Sequence, residues 1–176
     1  MLQRLFRPRA AVQAGAALYE AAARQARTPA FYADLGAPDT VEGRFELYSL
    51  HVILLLDRLR GAGPQAAEAS QALFDRYLRA LDDALREMGV GDLSVGKKMR
   101  KLGEAFYGRA KAYQTTLAAD DGAELQALIG RTVMAEAPAG DVAGLTAYVR
   151  RCRQSLQGQA LDGLLAGAPV WAEVNA

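Results

Sequence analysis

The stretch GDLSVGKK at residues 91–98 comes nearest to chemistry in this chain, because it approaches a nucleotide-binding loop. The phosphate-cradling pattern is G-x-x-x-x-G-K-[ST]. Gly91, Gly96 and Lys97 sit at that spacing, but Lys98 stands where a Ser or Thr hydroxyl would hold magnesium. Such a loop also needs a buried strand before it and a helix after it. The segment before Gly91 reads LFDRYLRALDDALREM, which is a helix pattern. The stretch is therefore expected to be a helix–helix corner. Gly89 and Gly91 bracket the turn, and Gly96 falls in the first turn of the next helix.

Four cations, Lys97, Lys98, Arg100 and Lys101, crowd the start of that next helix. A helix dipole disfavours cations there. From Ser94 to Tyr113 the basic residues number six, with Arg109 and Lys111 added, against one acid, Glu104. The expectation is a locally positive face, formed by Lys97, Lys98, Arg100, Lys101 and Arg109, that meets an anionic partner. Ribosomal RNA, lipid headgroups and an acidic protein surface all fit. The whole chain carries a net charge of only +1, so nothing points to DNA. Gly103 and Gly108 interrupt the same helix at about 1 kcal/mol each against alanine. Close packing of a neighbouring helix inside the protein is the expected reason.

Other reactive residues are few. There is one histidine, His51, and one cysteine, Cys152. Metal sites of zinc or iron–sulfur type need several such ligands, so no metal and no cofactor is expected. His51 has Leu47, Leu54 and Leu55 as helical neighbours and no nucleophile pattern elsewhere, which makes it a core histidine rather than a general base. Cys152 lies between two arginines, which can lower a thiol pKa. It has no histidine partner in sequence and is expected to be inert.

The elements that position these residues are helical. Apolar residues make up 51% of the 176, alanine and leucine are abundant, and no alternating strand pattern occurs. The predicted class is all-α, a single bundle of about six to seven helices. A helix over about 10–27 is followed by an irregular link through Pro29 and Pro38. Asp39 and Glu42 form a capping box for a helix over about 40–60. That helix carries Phe45, Tyr48, Val52, Leu55, Leu56 and Leu59 on one stripe and Leu47, Leu50, Ile53 and Leu54 around it, so it belongs in the middle of the bundle. Further helices are expected over 64–88, from Asp92 or Ser94 to about 119, and over 122–135, 141–157 and 159–166. Residues 1–9 form a basic tail, with Leu2, Leu5 and Phe6 beside Arg4 and Arg7. The helical domain spans 10–166, and 167–176 is a C-terminal tail. No apolar run is long enough to span a bilayer, so a cytoplasmic protein is expected, peripheral at the inner face of the cytoplasmic membrane at most.

Three phrases together carry a family resemblance: LYEAAARQAR (18–27), RTPAFYADLGAPDTVEGRFELYSLHVILLLDRL (27–59) and QALFDRYLRALDDALREMGVGDLSVGKKMRKLGEAFYGR (71–109). They resemble the ubiquinol–cytochrome c chaperone family, the bacterial relatives of a mitochondrial assembly factor for the cytochrome b–containing reductase of the respiratory chain (complex III). The motif positions are Phe31, Tyr32, Gly43, Arg44, Phe45, Glu46, His51, Gly91, Asp92, Gly96, Phe106, Tyr107 and Gly108. The resemblance implies an all-helical, non-enzymatic chaperone that binds newly made cytochrome b or another respiratory-complex subunit. It also implies work beside the ribosome with a small helper protein. A client of apolar helices calls for an apolar groove, and Phe31, Tyr32, Leu35, Phe106 and Tyr107 are the candidates for its lining. Two other readings compete. One is a membrane-surface or ribosome-associated adaptor without a dedicated client. The other is an enzyme that acts on a phosphorylated molecule through residues 91–98.

Overall fold

The computed structural model describes residues 3–119 and 121–174, with side chains from Ala10 onward. Among these residues every regular element is a helix: α1 (Gln3–Ala26), α2 (Ala30–Ala33), α3 (Val41–Leu59), α4 (Pro64–Glu87), α5 (Asp92–Ala119), α6 (Gly122–Arg131), α7 (Val142–Gly158) and α8 (Leu161–Leu165). Helix α1 opens before Ala10, so most of the expected basic tail is helical. The two terminal residues at its start, and the side chains of 1–9, lie outside the described residues.

Helix α3 is surrounded. All residues from Ser49 to Leu55 are buried, which covers every side of two helical turns. Its start differs from the expected capping box. Thr40, not Asp39, is the N-cap, and its hydroxyl oxygen accepts from the Gly43 amide at 3.0 Å. Asp39 instead accepts from Arg44 at 2.5 Å. A Cβ on Gly43 would sit 2.2 Å from the Pro38 carbonyl oxygen, so only glycine lets the chain double back this closely before α3.

Helix α1 packs most extensively on α4. Small residues occur on both helices, Ala14, Ala21 and Ala22 on α1 and Ala66 and Ala69 on α4, and all are buried. Gly15 marks the tightest approach, since a Cβ there would fall 2.6 Å from the backbone of Ala72. Alanine abundance thus does two jobs, favouring helix and allowing two long helices to close on each other.

The link between α1 and α3 is less irregular than its prolines imply. Thr28 accepts from Phe31, and residues 30–33 complete one helical turn that drives Phe31 into the core. At the α4 end, Gly89 takes φ +80°, the left-handed conformation that stops a helix. Helix α5 opens at Asp92 with the Gly91 carbonyl accepting from Val95. Neither Asp92 nor Ser94 is its cap; the Asp92 carboxylate turns back to Arg86 on α4. Asp121 and Asp141 cap α6 and α7 through their carboxylates. Helix α6 ends at Arg131, short of the expected 135, and turns carry the chain on to Asp141. The segment after α8 is packed: Gln159, just past α7, donates to and accepts from the Val170 backbone, and Val174 is buried.

Candidate functional site: an apolar groove between α1, α3, α4 and α5

A groove of about 620 Å³ opens where the ends of four helices fail to close on one another. Its α1 wall is Tyr19, Ala23 and Ala26, and its α3 wall is Val41, Phe45 and Tyr48. The C-terminal turns of α4 supply Leu81, Ala84, Leu85 and Met88, and α5 supplies Lys98 and Leu102. Tyr32 from α2 closes one end. Ala23 and Ala84 line it with small side chains. Val41 and Met88 stand at the rim, 60% and 54% exposed.

Polar atoms in the groove are mostly spoken for. The Tyr32 hydroxyl donates to the Ala26 carbonyl at 2.8 Å, and the Arg44 guanidinium lies over the Tyr32 ring at 5.8 Å. Arg76 covers the Tyr19 ring at 4.6 Å. Burial raises the pKa of Tyr19 and Tyr32, so both phenols stay neutral. The Tyr19 and Tyr48 rings meet edge to face at 5.6 Å, and Tyr48 leans on Tyr77 at 5.2 Å. The exception is the Tyr48 hydroxyl, which is buried with no hydrogen-bond partner among the described residues. At the groove margin Glu46 receives two nitrogens of Arg109 from α5, so Arg109 is held in an ion pair and does not extend the basic face.

The expected lining residues divide sharply. Tyr32 lines the groove; Phe31, Leu35 and Phe106 are core. Phe31 packs on Tyr148 at 4.9 Å and on His51 at 5.4 Å, and Phe106 packs on Tyr77 at 4.8 Å. Tyr107 is 63% exposed on α5 and rests on Phe74 outside the groove. Arg44, Phe45 and Glu46 border the groove, whereas Gly43 is its tight entry turn. Gly91, Gly96, Gly103 and Gly108 border open space, because a Cβ on any of them meets nothing within 4 Å. The internal packing expected at Gly103 and Gly108 is therefore absent. Of the cation cluster only Lys98 reaches the groove; Lys97, Arg100 and Lys101 are exposed on the outer side of α5. Leu81, Leu85 and Leu102 recur in sequence at ordinary helical core spacing, and Tyr19 carries no separate signal. Nothing in that spacing shows that a groove opens beside them.

His51 is sealed away from this groove. Its Nδ1–H donates to the Leu47 carbonyl at 2.7 Å, and Nε2 accepts from the Tyr148 hydroxyl at 2.8 Å. The carbonyl can only accept, which fixes the proton on Nδ1. Tyr148 in turn accepts from Gln25 at 3.0 Å, and Trp171 covers the ring edge at 5.2 Å. Burial lowers the His51 pKa to about 4, so the ring is neutral at physiological pH. Cys152 is also buried, and desolvation raises its thiol pKa despite the flanking arginines. Among the described residues no cluster of metal-binding side chains occurs, no strand precedes Gly91, and no helix is long and apolar enough to cross a membrane.

The family model for the ubiquinol–cytochrome C chaperone matches residues 33–171, from α2 to the segment that covers His51. The chain belongs to the ubiquinol–cytochrome c chaperone family. It is also similar to the crystal structure of the Cbp3 homolog from Brucella abortus, at 35% identity and a TM-score of 0.86, covering 99% of this chain and 98% of that one. Among curated proteins no sequence matches it. The groove's α3, α4 and α5 walls fall inside the family match, and its α1 wall lies in the part that only the structural likeness spans.

Proposed function

We propose that this protein is a non-enzymatic chaperone for assembly of the ubiquinol–cytochrome c reductase, and that it holds newly made cytochrome b by an apolar segment in the α1–α3–α4–α5 groove. Family membership supports the general role. The observation that carries the client-binding reading is the groove, an open trough lined mainly by apolar side chains of four helices. An apolar helix emerging into water gains about 1.5–3 kcal/mol for each large side chain it buries there. The binding reading is favoured over catalysis because His51 and Cys152 are both out of reach of any substrate. Residues 91–98 are a helix corner rather than a phosphate loop. A small helper protein and the ribosome remain partners expected from the family resemblance.

The test is site-specific photocrosslinking in the native host during active translation. A photoreactive residue replaces Ala84 inside the groove or Tyr107 outside it. The expected result is a crosslink to cytochrome b from position 84 and none from 107. Ribosomal or lipid-associated products alone, equal at both positions, would favour an adaptor without a dedicated client. Crosslinks to a different respiratory subunit at position 84 would keep the groove and change the client.

A further inference from the structure

We propose that the corner between α4 and α5, from Met88 to Lys101, docks the protein on an anionic lipid surface. Leu93 is 101% exposed and Met88 54% exposed, both at the same turn. In water such a tip contributes nothing to the fold, whereas in a headgroup layer both side chains are buried. The cations ring it. Leu93, Lys97, Arg100 and Lys101 recur at helical spacing on the outward side of α5, opposite the buried Val95 and Phe106. None of these cations pairs with a carboxylate among the described residues.

Acids nearby do not cancel this charge. Asp92 is taken up by Arg86, which also holds Asp82. Exposed Glu87 and Glu104 flank the patch. In the structure the cations fall in the second and third turns of α5, beyond its N-terminal turn, and present their charge to solvent. The apolar tip decides between anionic partners: a nucleic-acid backbone would gain nothing from Leu93, while a bilayer interface takes both the leucine and the lysines.

The corner is continuous with the groove. Met88 and Lys98 line the groove mouth as well as the corner. A bilayer held at Leu93 therefore lies beside the opening. The docking stands whether or not the groove takes cytochrome b.

Sedimentation of the full chain with vesicles tests it. One set contains phosphatidylcholine alone and the other adds phosphatidylglycerol, each at low and high salt. Wild type should bind only the anionic set, and less at high salt. The triple variant Lys97→Glu, Arg100→Glu, Lys101→Glu should lose at least about tenfold in affinity. Leu93→Asp should lose binding at both salts, with helical circular dichroism and melting unchanged, because an acid in the first turn of a helix is favourable. A third variant, Arg4→Glu with Arg7→Glu, reports on the N-terminal segment and should bind as wild type does. The proposal is overturned by equal binding to neutral vesicles, or by full binding in both corner variants. It is equally overturned by loss confined to the Arg4/Arg7 variant, or by single-stranded RNA that binds wild type and Leu93→Asp alike and displaces the vesicles.

Discussion

Arg109 on α5 holds the carboxylate of Glu46 on α3 with two nitrogens, Nε on Oε2 and Nη2 on Oε1. Helices α3 and α5 otherwise touch sparingly, so this pair is their main polar tie and sits at the groove margin. Glu46 is only 12% exposed in its side chain, and removing Arg109 would leave its charge nearly buried and unpaired. Arg109→Ala should cost about 2 kcal/mol of unfolding free energy. Adding Glu46→Ala to that variant should recover part of the loss. Arg109→Lys should rescue incompletely, because an ammonium cannot grip both oxygens. Urea unfolding of the four proteins gives the coupling directly, and additive effects would mean the pair does not tie the helices.

His51 supplies a pH signature. Its folded pKa is depressed to about 4 from an ordinary value of 6.5, so the unfolded chain binds the proton first. Above about pH 6.5 the ring is neutral in both states and its full contribution is present. As pH falls from there toward 4, stability drops, by about 3 kcal/mol from this one residue, because the buried cation is opposed by desolvation. His51→Gln should be less stable at neutral pH and should lack that part of the acid slope. Subtracting the two pH profiles removes the carboxylates common to both. A difference profile that is flat between pH 4 and 6.5 would show that the folded protein accepts the His51 proton.

Glycines separate what packs from what does not. A Cβ at Gly103 or Gly108 meets nothing, so Gly103→Ala and Gly108→Ala should each stabilise the protein, by up to about 1 kcal/mol. Gly15→Ala should do the reverse, because its Cβ would strike the Ala72 backbone at 2.6 Å. Thermal denaturation of the three variants decides it, and stabilisation at Gly15 or loss at Gly103 would contradict the packing described.

The same contrast shows what the sequence could and could not reveal. Helices announced themselves through periodic leucines and through stops such as Gly89, so the all-α class and most boundaries were legible. The core role of His51 was legible too, from its leucine neighbours. Lining residues were not, because a groove is an absence: Leu81 and Leu85 have the same periodicity whether or not a groove opens beside them. Arg109 looked like part of a basic face because its partner, Glu46, lies far off in sequence on another helix. Phe31 and Phe106 were candidates for a groove lining, yet one helical turn after Thr28 carries Phe31 into the core, and Phe106 packs on Tyr77 there.

The Tyr48 hydroxyl gives the sharpest probe of the groove. It is buried without a partner among the described residues, while its ring is fixed by Tyr19 and Tyr77. A buried hydroxyl that makes no bond is a cost, and Tyr48→Phe removes it without changing the ring. The free protein should therefore be as stable as wild type or more so, by up to about 1 kcal/mol. The hydroxyl has almost no exposed surface for a bound segment to reach, so the same variant should bind a client helix as wild type does. Titration of a labelled apolar helical peptide from cytochrome b into both proteins measures this alongside their denaturation curves. Equal affinity with equal or raised stability would fit a groove whose Tyr48 wall offers only the ring. Weaker binding by the variant would show that the client reaches the hydroxyl, and lost stability would show that the hydroxyl is bonded in the free protein.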